Sequence, residues 1–356
     1  MYAYRFFLSY SSTERDLAIS VADIFQELGL FVSWDHNLQP GRPFPEEIKI
    51  QIARSHLFVP LLTRDSIVRP WVHQETGFAM GVGVPILPIV VGDLVPVALI
   101  QELQALRVSN VAELRNALTE EIIKGRVEEA AEAKPANFEC VELPERRAQA
   151  IARHARDAQR SGGGRIRQRG AMSSFALPDS PPSYPIWRER DGAVQRSQFL
   201  HEQLYNERMA LGQLAASYGC DLVIKPEVRL EKYGPKARRI RLETLRDFLM
   251  DDKSYPDVKV MIRQHGNFGN LLIVGDFFYA DSITPEDGSG YKQTLFTWHA
   301  PTVLAKIREF DSQFINAGGK SRYDVAALVE LEIAAIGGAP SNSTAPADQK
   351  APLHGR

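Results

Sequence analysis

Cysteine is scarce: Cys140 and Cys220 are the only two in the 356-residue sequence, far apart and with no CxxC partner. That excludes a disulfide framework and a cysteine-based zinc site, and it suits a reducing compartment, so a cytoplasmic protein is expected. No run approaches the roughly 20 apolar residues of a membrane span. The start, "MYAYRFFLSY", has no basic segment followed by a long apolar stretch, so neither a membrane contact nor a leader is expected. A dominant charge sign is also missing. The formal net charge of −2 gives no general attraction to nucleic acid or to an anionic surface. There is no internal repeat and no glycine-rich phosphate fingerprint: the glycines of "GFAMGVG" fit close packing in or at the end of a helix. What remains, 44% hydrophobic and 24% charged residues, is the composition of a globular protein whose length suggests two domains.

The first hundred residues alternate two kinds of pattern. "RFFLSY", "LFVSW", "HLFVPLL" and "PILPIVV" are short, nearly continuous apolar runs of the kind buried on both faces of a parallel sheet. Between them, Ser11 and Glu14 have capping-box spacing ahead of Leu17, Val21, Ile24 and Leu28, and Gly29 closes that helix. "PEEIKIQIARS" supplies a second helix. A β-α-β-α order predicts an α/β fold with a small doubly wound parallel sheet, whose functional edge lies at the strand C-terminal ends. "SNVAELRNALTEEIIKG" reads as the last helix of this domain, which is placed at residues 1–125.

From 126 to 185 the chain is rich in Ala, Glu, Arg, Gly and Pro, and it reads as a flexible linker carrying at most one helix, "PERRAQAIARHARDAQR". A second α/β domain is expected over 186–335. It has a long helix in "VQRSQFLHEQLYNERMALGQLAASYG", a strand in "CDLVIKP", a helix in "IRLETLRDFLMD", adjacent strands in "DVKVMIRQ" and "NLLIVGDFFYADS", and a closing helix in "TWHAPTVLAKIREFDSQFINAG". The tail, 336–356, is low in apolar residues and is expected to be disordered.

The stretch "RPWVHQETGFAMGVG" sets Trp71 and Glu75 one helical turn apart, so that an aromatic body and a carboxylate share a face. Taken alone, such a pair is more often packing plus a solvated charge. The order of motifs around it changes that. "FFLSYSSTERD", "GLFVSWDHNLQPGRPF", "SHLFVPLLTRDSIVRPWVHQE" and "GVPILPIVVGD" together resemble the Toll/interleukin-1 receptor (TIR) domain, in the correct order across residues 1 to about 120.

The resemblance implies a flavodoxin-like fold and one of two functional kinds. Adaptors assemble through TIR-TIR contacts, and enzymes cleave the nicotinamide-ribose bond of NAD. The enzymatic kind carries a W-x-x-x-E pattern on the helix after the third strand, here Trp71 to Glu75. Glu75 is thereby implied as the catalytic residue and Trp71 as a wall of the pocket. Tyr10 and Ser11, after the first strand, are implied as nucleotide neighbours. Trp34 and Asp35 open the loop "WDHNLQPGRPF", which in the family covers the site and mediates assembly, and Arg42 in it is the candidate phosphate contact. Ser11 and Ser12 stand where many TIR enzymes carry a basic or second polar residue.

The chemistry suits a single carboxylate. The nicotinamide ring is cationic in NAD and neutral once released, so the leaving group needs little acid help. The ribosyl cation that develops needs a fixed negative charge, as in glycoside hydrolysis.

The expectation is therefore a TIR-type NAD glycohydrolase. NAD is its substrate, and neither a metal nor a separate cofactor is called for. It would self-associate through its TIR domains in a defence or signalling pathway, such as antiphage immunity. The second domain would recognise an unknown trigger or drive assembly. The rival is a non-catalytic TIR adaptor. In the second domain, His265-Gly266-Asn267 invites comparison with the H-x-K-x4-D signature of phospholipase D-type enzymes, but it lacks the lysine and occurs once, so a working phosphodiesterase is not expected.

Overall fold

A computed structural model describes residues 4–33, 46–94, 103–132, 138–170, 173–177, 194–224, 234–262, 269–283, 293–316 and 321–337. The first unit contains strands β1 (Arg5–Ser9), β2 (Phe31–Ser33), β3 (Leu57–Leu62), β4 (Ile89–Val91) and β5 (Leu106–Val108). They form a five-stranded sheet in the order β2-β1-β3-β4-β5, parallel at every pairing. This is the doubly wound arrangement expected from the sequence. The alternation along β1 explains why its run is continuously apolar. Phe6 and Leu8 face a core shared with α1 (Arg15–Glu27), whereas Phe7 faces Ile48 and Ile52 of α2 (Glu46–Ala53) and Ala79 of α3 (Pro70–Gly81).

Two local details differ from expectation. The Ser11/Glu14 capping box does not form: Ser11 Oγ pairs with Thr13 Oγ1 at 2.8 Å, residues 12–14 make a 3-10 turn, and α1 starts at Arg15 without a side-chain cap. The helix expected at the end of the unit is two helices, α4 (Val111–Ala117) and α5 (Glu120–Glu132). Leu118 adopts extended angles and turns inward between them.

The stretch 126–185 is the larger correction. Its described part is not a linker: after the end of α5 come β6 (Phe138–Val141) and β7 (Ile166–Gly170), both strands of the second sheet, with α6 (Pro144–Arg160) between them packed on it. Charge on β7 disguised it. Ile166 and Gln168 point inward, while Arg167 makes a two-armed ion pair with Asp311 at 2.6 and 3.0 Å and Arg169 donates to Gln313 at 3.2 Å. Helix α6 buries mostly alanines, which read as linker composition.

The rest of the second unit is α7 (Val194–Tyr218), β8 (Cys220–Ile224), α8 (Gly234–Met250), β9 (Val258–Ile262), β10 (Asn270–Val274), β11 (Phe278–Ile283), β12 (Gln293–Thr297), α9 (Ala300–Asn316) and α10 (Arg322–Gly337). Its seven strands lie in the order β6-β12-β11-β10-β7-β8-β9. β9 and β10, expected from the sequence to be adjacent, are therefore separated by β7 and β8. α8 carries the chain across so that β9 pairs in parallel with β8, and β10 returns antiparallel to β7. Helices α6, α7, α8 and α10 pack on one face of this sheet, and α9 packs alone on the other, through Val303, Ile307 and Phe310.

Arg322, at the start of α10, is buried and donates to the carbonyls of Leu249 (2.6 Å), Tyr255 (2.5 Å), Phe248 (3.1 Å) and Asp251 (3.2 Å). One guanidinium thus serves the carbonyls of Phe248 and Leu249 near the end of α8 and those of Asp251 and Tyr255 in the segment after it. Arg322→Met is expected to lower stability by about 3 kcal/mol. Urea unfolding checks this, and a loss below ~0.5 kcal/mol would show that those carbonyls find other donors.

Candidate functional site

Helix α3 starts cleanly because Pro70 occupies its first turn after an extended Arg69. It ends in a Schellman motif: the Val84 N–H donates to Ala79 O at 2.9 Å and the Gly83 N–H to Met80 O at 3.1 Å, with Gly83 at φ +76°. Its inward face is Val72, Glu75, Thr76 and Ala79, the spacing of an amphipathic stripe. Glu75 therefore occupies a position where packing alone would favour an apolar residue, and it is 2% exposed. Burying a carboxylate is costly unless it is paired or hydrogen-bonded. Trp71, one turn earlier, is half-buried against Leu62, Val72 and Val90 at the C-terminal ends of β3 and β4. His73 lies elsewhere, with Nε2 2.9 Å from the Ile67 carbonyl, and serves structure.

Beside α3, parallel β1 and β3 deliver their ends to the same edge, with Ser9 in register with Pro60. Tyr10 there is half-buried and Ser11 is 0% exposed. The turn into α3 is knotted by hydroxyls. Ser66 Oγ accepts from the Thr63 N–H at 2.8 Å and donates to Leu61 O at 2.7 Å, while the Ser66 N–H donates to Thr63 Oγ1 at 3.1 Å. Tyr10, which packs with the α1-side core, and Ser11 thus follow the end of β1, while Trp71 packs at the ends of β3 and β4 and Glu75 lies on the core face of α3. Trp34, Asp35 and Arg42 lie outside the described residues, as do His265 and Asn267.

Two charged residues at this edge, Arg69 and Glu14, are not among the site residues expected from the sequence. Arg69 holds its guanidinium 5.5 Å from the Trp71 ring centroid, a cation over the wall of the site. The sequence signal for Arg69 is "VRPW", a cation set two residues before Trp71 at the start of the helix. Glu14 hangs between the β1 and β3 ends. Burial raises its pKa above the usual value, hydrogen bonding to Thr63 opposes that, and Asp65 adds to it. Its Oε2 is buried without a hydrogen-bond partner among the described residues.

The family model described as TIR domain matches residues 6–123, about a third of the chain. The first unit is a TIR domain. No curated protein matches the chain. Among solved structures, that of TrmBL2, described as an archaeal chromatin protein with a novel mode of DNA binding, aligns over 51% of this chain and 53% of that one, so about half the length of that protein is covered. The identity is 9% and the TM-score 0.30, too low to support any statement about fold or function. Among the described residues no helix is long and apolar enough to cross a membrane, and no group of three or more His, Cys, Asp or Glu could hold a metal ion.

The second unit meets the TIR domain at the opposite edge, where β1 and β3 begin. Arg5 pairs with Asp276 in the β10–β11 turn and donates to Arg54 O at 2.7 and 3.1 Å. The guanidinia of Arg5 and Arg54 lie 5.5 and 5.3 Å from the Phe277 ring centroid. Arg308 of α9 donates to Tyr4 Oη at 2.7 Å and to Glu128 of α5 at 3.0 Å, and Leu304 of α9 joins the TIR core. Burial, then the charge of Arg54, pulls the Arg5 guanidinium down to about 10.

His56 is wholly buried in this joint, with Nδ1 accepting from the Arg5 N–H at 2.9 Å. Burial, then Arg5, His299 and Arg308, pushes its pKa well below 6.5, against the opposing effect of that hydrogen bond. His299 is also shifted down, by burial first. A neutral histidine in the folded state takes up its proton only after unfolding. Stability is therefore fully present above about pH 6.5 and falls as pH drops below it, by up to about 1.4 kcal/mol per pH unit for each such histidine. Thermal midpoints measured from pH 7.5 to 5 are expected to show this decline, and His56→Leu is expected to flatten it.

Proposed function

We propose that the TIR domain cleaves the nicotinamide-ribose bond of NAD, with Glu75 stabilising the ribosyl cation and Trp71 walling the site. The observation that carries this reading is Glu75 itself: a carboxylate 2% exposed on the core face of α3, one turn from Trp71, which packs at the C-terminal ends of β3 and β4. The bond electrons stay with the departing nicotinamide and neutralise its ring, and the positive charge that develops on the ribose carbon is met by a carboxylate already desolvated and held by its helix. Water captures the cation to give ADP-ribose, or a second nucleophile within the substrate gives a cyclic product. Tyr10 and Ser11 border the nucleotide, and Arg69, beside Trp71, is a candidate for its diphosphate in addition to Arg42. Self-association through TIR domains would switch the enzyme on, with the second unit receiving the trigger, as suits an activity that depletes its own cell of NAD.

The test is nicotinamide release by concentrated protein, with and without a crowding agent, beside a Glu75→Gln variant. Release that depends on Glu75 supports the enzyme. Release that persists in the variant removes Glu75 from the catalytic role. Silence from forced assemblies favours the adaptor, which signals through TIR-TIR contact alone.

A further inference from the structure

The elements that carry the candidate site are held from behind by the second unit. β1 begins at Arg5, which Asp276 and Phe277 grip, and leads into Tyr10 and Ser11. β3 leads into the Thr63–Ser66 turn and begins beside His56, buried against the joint. The third hold is the most direct. His299, the residue before α9, donates from Nε2 to the carbonyl of Gly83 at 2.8 Å. Gly83 is the left-handed residue of the Schellman motif that ends α3, eight residues beyond Glu75 or about 12 Å along the helix. The ring is fixed in turn: His299 Nδ1 lies 2.6 Å from Thr302 Oγ1, an arrangement that keeps the proton on Nε2, where it meets Gly83.

Helix α9 is itself bound tightly to its own sheet. Val303, Ile307 and Phe310 pack on Val223, Met261, Leu271 and Ile273, and Asp311 holds Arg167 by two bonds. Helix α9 is thus fixed to the second sheet on one side and, through His299, to the end of α3 on the other. Rigid, packed elements with few alternative arrangements transmit displacement in this way.

We propose that His299 is a positioning residue for α3, and that α9 is the element through which the second unit sets the placement of Trp71 and Glu75. The consequence for Trp71 and Glu75 rests on the NAD-cleaving reading; the mechanical hold on α3 does not. A flexible tether would only gather TIR domains, whereas this joint lets the state of the second unit reach the site without covering it.

The full-length protein with His299→Ala, compared with His299→Gln, tests this. Gln keeps an N–H donor at nearly the same reach. In the Ala variant, hydrogen exchange of the Val82, Gly83 and Val84 amides is expected to quicken at least about 10-fold, as an unheld helix end frays. kcat for nicotinamide release is expected to fall about 10- to 100-fold with KM within about twofold, since displacement of a catalytic group costs turnover rather than binding. The Gln variant should restore both. Should His299→Ala destabilise the chain, Thr302→Val, which removes the partner of Nδ1, is expected to give smaller changes of the same kind. Unchanged exchange at those three amides in both variants would overturn the hold. Quickened exchange with unchanged kcat would overturn the positioning role. If no form releases nicotinamide, the NAD reading fails by itself, and the exchange rates still decide the joint.

Discussion

Glu75→Gln is expected to reduce nicotinamide release about a thousandfold, a loss of ~4 kcal/mol of transition-state stabilisation, while moving the thermal midpoint by no more than about 4 °C. The two figures belong together. Gln has the shape of Glu, so the packing of α3 against β3 and α2 is retained and the fold has little reason to change. What disappears is the negative charge. In a buried position that charge is poorly screened and already stripped of water, so its effect on a developing cation is larger than the same group would have in solution. Glu75→Ala would confound charge with a cavity and is the poorer experiment. Steady-state kinetics on the assembled protein, with circular dichroism as the control for folding, distinguish the outcomes. A loss under tenfold would leave Glu75 a structural acid, and the stabilising charge would have to be sought elsewhere, with Glu14 the first group to replace.

The second large effect is expected at Leu304. This side chain leaves the second unit and enters the TIR core beside Ile123 and Val127 of α5, where it is 2% exposed. Leu304→Asp forces a choice between burying an unpaired carboxylate and parting the two units. Either costs about 4 kcal/mol or more, against less than about 1.5 kcal/mol for Leu304→Met. The parent is expected to unfold in one cooperative transition and the Asp variant in two, with the TIR domain melting first because its lower edge has lost its cover. Scanning calorimetry reads this directly, and scattering should show a larger radius of gyration. Two transitions in the parent, unmoved by the substitution, would mean that the units are energetically independent despite their contacts.

Much of the first unit is legible in the sequence because its information is local. "RFFLS" and "LFVPLL" are apolar on both faces and cannot be surface strands, and Trp71 to Glu75 is a spacing visible without any fold. The second unit hid for the opposite reason. β7 carries Arg167 and Arg169 at outward positions that are tolerable only because Asp311 and Gln313 stand opposite them, 144 residues later. No window along the chain contains both partners, so "RIRQRG" reads as solvated linker. The division of the helix at Leu118 is similar: its side chain is needed in the TIR core, and the backbone opens to deliver it. The joint was invisible altogether, because hydrogen bonds such as His299 to Gly83 are specified by two unrelated motifs that become neighbours only after both units have folded.

That remoteness also has a consequence in time. Arg5 waits for Asp276 across 271 residues, and Tyr4 for Arg308 across 304. At about 5–20 residues per second of synthesis, the TIR sheet, complete at Val108, is made roughly 10–40 s before Arg308, which covers its lower edge, exists. During that interval the socket for Leu304 is an open apolar surface that chaperones could protect. A ribosome that stalls late releases a chain whose first-made sheet is finished by nothing, and whose helix α3 has no histidine to hold its end.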